Sequence, residues 1–260
     1  MITFDESHWG RQYGKFRDTI DEYIKLVGRD SLDLLNQQSI LLCTDMATVT
    51  QPYTNSTKSK KLGENAVSRD INKVFRGPKK MYDRIKKESE DVAKGFWALY
   101  KSGKFKDAEE LFYKATGERV QEITKTPHIK ARNKRGRVTD SSADINAVYH
   151  VKSDDKIKSY AGKIQKRVGF AKSGWITAAE QIGTIKKRVP AWIKRHKNTQ
   201  TGSARLHDVK GTKYYLITNK VRYIKEIFNS GSFMKASGFR IKAMQREIKK
   251  ILEHRGKKVQ

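Results

Sequence analysis

One cysteine in 260 residues excludes an intramolecular disulfide framework and any cysteine-based zinc cluster. Cys43 directly follows the apolar run Ile40-Leu41-Leu42, which predicts a buried small hydrophobe and synthesis in a reducing cytoplasm. No stretch reaches the roughly 18 apolar residues that a membrane helix needs. The opening MITFDESHWGRQ lacks the basic-then-apolar order of a secretory signal. The six histidines (8, 128, 150, 196, 207 and 254) form no HxxxH, HExxH or HxH pair, so metal ligation has no support. Glycine-rich phosphate cradles of the GxxxxGK[ST] and GxGxxG types are missing. His207-Asp208 has no serine in a GxSxG elbow to complete a triad. These absences predict a protein that is not an enzyme and holds no cofactor or metal.

Acidic charge is also scarce. Against 28 Asp and Glu stand 56 Lys and Arg, a formal net charge of +28. Residues 1–50 hold eight acids and five bases, net −3, so the other 210 residues carry +31, the difference between +28 and −3. Charge on that scale attracts a polyanion, and phosphate contacts alone carry no sequence information. The run from Arg119 to Arg137 is short of apolar residues and holds one acid, Glu122, against Arg119, Lys125, Lys130, Arg132, Lys134, Arg135 and Arg137. These seven are the candidate nucleic-acid or polyanion contacts. The stretch reads either as a solvated loop or as an arm that orders along nucleic acid. Basic residues interleave with aromatics at Trp192-Ile193-Lys194-Arg195 and Lys213-Tyr214-Tyr215. Such pairs stack bases or sit at the edge of a core with snorkelling lysines.

Hydrophobic periodicity organises the rest. Phe16, Ile20, Ile24 and Val27 form one stripe of a helix, continued after Gly28 by Leu32, Leu34, Leu35 and Ile40 to Leu42. This stripe is core or a subunit-packing face. Residues 51–61 read as a loop, and helices are predicted over Glu64–Phe75, Lys80–Lys101 and Lys106–Thr116, as an inserted helical hairpin. Ala147–Val151 is a short strand, and Ser153-Asp154-Asp155 caps a mostly helical run to about Ile182 with a glycine break. RLHDV-KG-TKYYLITN is a hairpin on a two-residue Lys210-Gly211 turn, with Tyr214, Leu216 and Thr218 facing one way and Tyr215 and Ile217 the other. A short helix within Val221–Phe228 follows. The last helix spans about Ser237–His254, with Ile241, Met244 and Ile248 on one face. The expected class is α+β: a long N-terminal helix, a helical insertion, a small antiparallel sheet and a C-terminal amphipathic helix. One domain over 1–260 is expected, with the insertion at about 62–117 and the basic loop or arm at about 118–143.

The C-terminal stretch YYLITNKVRYIKEIFNSGSFMKASGFRIKAMQREIKKIL resembles the tail-completion or neck family of long-tailed bacteriophages, the group that includes minor tail protein Z. The matching residues are Ile217-Thr218-Asn219 at a strand end, Tyr223-Ile224, Ser230-Gly231, and Gly238-Phe239-Arg240. The first helix and the central GFAKSGW stretch sit where that family has its first helix and a small-residue segment. Arg222 stands where proline is common there, and the helical insertion is longer. The resemblance implies a non-enzymatic virion protein at the head–tail junction, made in the host cytoplasm. Its implied partners are other virion proteins (connector, tail tube or terminator) and copies of itself in a ring, with DNA nearby and no membrane. Two alternatives stand beside it, a non-sequence-specific nucleic-acid-binding protein using the basic arm and a metal-dependent nuclease built on scattered carboxylates.

Overall fold

A computed structural model describes residues 6–27, 31–131, 138 and 148–256. The chain is mostly helical, with a two-stranded antiparallel sheet and a short parallel strand pair, an α+β protein. It divides into two compact units. One combines residues 1–62 with 168–260, and the other is the contiguous segment 63–167.

The first unit begins with α1 (Glu6–Val27) and α2 (Ser31–Val49) and takes in the start of α3 (Thr57–Val74). It resumes with α9 (Phe170–Ile182), the single turn α10 (Ala191–Lys194), and the strands β3 (Gly202–Val209) and β4 (Thr212–Asn219). The turn α11 (Ile224–Ile227) and the long α12 (Ser230–Gly256) complete it. Helix α9 is its centre. Every residue from Ala171 to Ala179 is buried, which a helix achieves only when covered on all sides. It packs on α2, on the hairpin and on α10. A second cluster lies between α1 and α12, where Ile20, Tyr23, Leu34, Met244 and Ile248 are buried and Phe16, Ile24 and Ile251 pack around them. The Tyr23 hydroxyl donates to Glu247, and Arg240 of α12 pairs with Asp45 of α2. Burial raises the Asp45 carboxyl above its usual range despite the opposing field of Arg240.

Small residues allow the approach at the centre. A Cβ on Gly202 would lie 1.9 Å from the Gly174 carbonyl oxygen, and a Cβ on Gly174 would lie 2.3 Å from Asn219 Oδ1 and 2.6 Å from the Thr201 carbonyl. Glycine at both positions lets strand and helix backbones touch. The hairpin turns through Lys210 and Gly211, at φ 53° and 81°, which is the pair of positive angles a type I′ turn demands. Paired residues share a face, so Arg205, His207 and Val209 stand with Leu216 and Tyr214, while Tyr215 and Ile217 lie on the other side.

In the second unit the remainder of α3 leads to β1 (Phe75–Arg76), α4 (Pro78–Lys86), α5 (Glu90–Lys101) and α6 (Phe105–Thr116). The turn α7 (Lys125–Lys130), β2 (Tyr149–His150) and α8 (Asp154–Gln165) follow. Strands β1 and β2 pair in parallel, and a core of Ile71, Val74, Phe75, Val151 and Ile157 lies beside them. Met81, Ile85, Ala93, Phe96, Ala108 and Phe112 join α4, α5 and α6 in a separate core. Ser153 caps α8 by accepting from the Asp155 amide, as the sequence predicts. The single helix expected over 80–101 is two, because Ser89 accepts from the Val92 amide and opens a new helix. The last helix likewise starts at Ser230 rather than Ser237, with the Asn229 side chain accepting from the Ser232 amide.

Replacing Gly202 by alanine drives a methyl into backbone that cannot move aside cheaply. Gly202→Ala is expected to cost about 3 kcal/mol, whereas Gly238→Ala in α12, where nothing lies within 4 Å of the new Cβ, stabilises by about 0.5–1 kcal/mol. Urea denaturation of the two variants beside the parent checks both signs.

Candidate functional site

Two of the segments that carry the resemblance, GFAKSGW and the Thr218-Asn219 strand end, meet at α9. Gly169 precedes the helix at φ 98°, against the ring of Trp192, which comes within 2.7 Å of where a Cβ would be. Trp175 donates its indole N–H to Thr50 Oγ1 at 3.0 Å and packs its ring 4.9 Å from that of Phe228. Asn219 joins strand to helix by donating from Nδ2 to the Ala171 carbonyl at 2.8 Å, while its Oδ1 accepts from the Val221 amide at 3.1 Å. An asparagine suits this place because it donates and accepts at once. The Thr177 and Thr201 hydroxyls lie 3.1 Å apart beside it.

Lys172 lies in the same region and is fully buried. Its Nζ donates to the Ala47 carbonyl at 2.5 Å and to Asn55 Oδ1 at 3.2 Å, and lies 6.0 Å from the Trp192 ring centre. Two neutral oxygens replace water incompletely, and among the described residues no carboxylate pairs with this amine. Burial therefore depresses its pKa to about 7, so near neutrality it is only part charged.

The hairpin presents the other conspicuous surface. Leu206, Val209, Tyr214 and Leu216 are exposed although large and apolar, and among the described residues the sheet has two strands. The Tyr214 ring stacks on His207 at 5.3 Å, and Tyr215 on the opposite face donates to Asn36 Oδ1 of α2 at 2.7 Å. His207 and Asp208 point to opposite faces, and Asp208 Oδ1 accepts from the Gly211 amide at the turn. The pair shares no work.

The predicted polyanion contacts fall unevenly. Arg119 is exposed and extends over the Tyr113 ring at 5.3 Å. Lys125 and Lys130 are exposed at the two ends of α7. Arg132, Lys134, Arg135 and Arg137 lie outside the described residues. Of the packing stripe, Phe16, Ile20 and Ile24 turn inward onto α12 of the same chain, and Val27 ends α1. Trp192, a candidate stacking aromatic, is buried against Gly169, so only its neighbours Lys194 and Arg195 face solvent.

In the second unit His150 is buried, with Nδ1 3.0 Å from Glu118 Oε2 and its ring 4.7 Å from that of Phe112. Glu118 also accepts from Arg84 Nε at 3.1 Å. Desolvation holds the imidazole below its usual pKa against the pull of Glu118. Among the described residues no group of three or more His, Cys, Asp or Glu side chains is placed to hold a metal ion. Cys43 is completely buried, and burial pushes its thiol far above the usual range.

No family model, curated protein or solved structure matches this chain.

The sign of the Lys172 effect follows from linkage. Between about pH 7 and the ordinary lysine value near 10.5 the unfolded chain holds a proton that the folded chain has shed, so folded stability rises with pH across that window. Relative to Lys172→Met, the parent is expected to gain on the order of 4 kcal/mol between pH 7 and 10. A difference that stays flat in urea titrations over that range contradicts the assignment.

Proposed function

We propose that the protein is a structural component of a bacteriophage virion at the head–tail junction, a neck or tail-completion subunit that assembles as a ring. The observation that carries this reading is the meeting of the resembling segments in one place. GFAKSGW and the Thr218-Asn219 strand end are far apart in sequence, yet Asn219 bonds to Ala171 and stands over Gly174. Glycine and asparagine at these places let a buried helix and a strand end interlock.

The hairpin supports a role in assembly. Leu216, Tyr214 and Val209 share its outward face, and among the described residues neither strand pairs with a third, although the Gln181 side chain bonds to Gly202 and Ala204 at the start of β3. Exposed apolar side chains beside open edges favour contact with another chain. In a ring such contacts are heterologous, with one patch meeting a different patch on the next copy until the circle closes. The positive charge suits a position beside DNA or acidic neighbours, where it is neutralised.

Negative-stain imaging of the purified protein mixed with tail tubes tests the reading. Rings capping tube ends are expected, and tubes left bare would sink it. Val209→Glu with Leu216→Glu places two charges on the outward face and is expected to leave the melting temperature within a few degrees of the parent. The same double variant is expected to remain monomeric in sedimentation velocity under conditions where the parent forms rings.

A further inference from the structure

Between α9 and α10 the chain runs without regular structure through Gly183, Thr184, Ile185, Lys186, Lys187, Arg188, Val189 and Pro190. With Glu180, Ala191 and Lys194 this segment walls an open concavity of about 790 Å³ in the first unit. Four cationic side chains line it: Lys186, Lys187, Arg188 and Lys194, all exposed. None of the four is ion-paired among the described residues. The acids nearby are already committed. Glu180, the one acid in the wall, pairs with Lys197, and Asp45, which feels the field of Lys187, pairs with Arg240.

The backbone of the segment is equally uncommitted. From Thr184 to Val189 no main-chain N–H donates to another group among the described residues. The ends, by contrast, are anchored. The Gly183 amide donates to Ala179, the Pro190 carbonyl accepts from Ile193 and Lys194, and Trp192 and Ile193 are buried. A segment anchored at both ends therefore sets four cations around one concave space and carries main-chain donors that are not otherwise engaged among the described residues. Phosphate oxygens accept from both kinds of donor, and arginine among lysines adds a planar fork for two oxygens at once.

We propose that this cleft is the docking site for the phosphate backbone of duplex nucleic acid, without sequence readout. The inference rests on the reading of the protein as one that works beside DNA, and assigns the contact to a different place from the Arg119–Arg137 run. An open cleft without aromatic platforms suits a duplex backbone rather than splayed bases, because Trp192, the nearest indole, is packed inward.

Each phosphate contact releases counterions, so the salt dependence of affinity counts contacts. The experiment measures binding of the full chain to a short labelled DNA duplex of arbitrary sequence between about 50 and 200 mM NaCl. The variant carries Lys186→Gln, Lys187→Gln, Arg188→Gln and Lys194→Gln. Its control removes the same charge from exposed positions in the other unit, with Lys79→Gln, Lys104→Gln, Lys106→Gln and Lys163→Gln. The slope of log K against log salt is expected to flatten by about 3 to 4 in the cleft variant and by less than about 1 in the control. An unchanged slope in the cleft variant overturns the proposal, and so does equal flattening in both, which would mean diffuse attraction to net charge. Tube capping by the cleft variant separates this from the junction reading. Capping that persists while the slope flattens is the expected result, whereas failure of the parent chain to cap tubes overturns the junction role and leaves the slope to judge the cleft.

Discussion

The contact of two backbones at Gly174 and Gly202 governs the first unit. Helix α9 lies in the middle, and the hairpin reaches its backbone most closely where neither segment carries a side chain. From that approach the rest follows. Asn219 comes within reach of the Ala171 carbonyl, Thr201 meets Thr177, and the start of β3 is drawn into the core while its far end projects into solvent. The opposite side of α9 packs on α2, which in turn holds α12 through Asp45 and Arg240. Close packing of this kind transmits displacement rather than absorbing it.

A buried amine beside such a contact is costly. Lys172 donates to the Ala47 carbonyl and to Asn55, and so ties the end of α2 and the loop after it to the central helix. A methionine of similar length would fill the space without the desolvation penalty, but would leave both oxygens without this donor. The lysine thus exchanges stability for a defined position of residues 50–56, the loop that also supplies Thr50 to Trp175.

Some of this was legible in the sequence and some was not. The hairpin was plain, because a two-residue Lys-Gly turn between alternating strands has few other solutions, and its facing followed from the pairing. The first helix and its stripe were also plain from spacing alone, although spacing could not say that Phe16, Ile20 and Ile24 would meet α12. The starts of α5 and α12 were missed because Ser89 and Asn229 are short polar residues that read equally as loop or cap. Lys194 stood out in the sequence beside Trp192, but its convergence with Lys186, Lys187 and Arg188 did not, because the four follow neither helical nor strand period. They converge only through the irregular chain between two anchored helices. Lys172 sat inside a helical pattern as one basic residue among many, and nothing in its neighbours marked it as enclosed.

The division of the chain has a consequence for its synthesis. The first unit is discontinuous, with α1 and α2 made early and their partners α9 and α12 made only after the whole of residues 63–167. At roughly 5–20 residues per second, the apolar stripe of α1 waits several seconds or more on the ribosome without the surface that covers it. The intervening unit is contiguous and has its own cores, so it can close first. A nascent chain in this order leaves that stripe open to holding chaperones, and the net −3 of residues 1–50 draws the waiting segment toward the strongly basic remainder as it emerges.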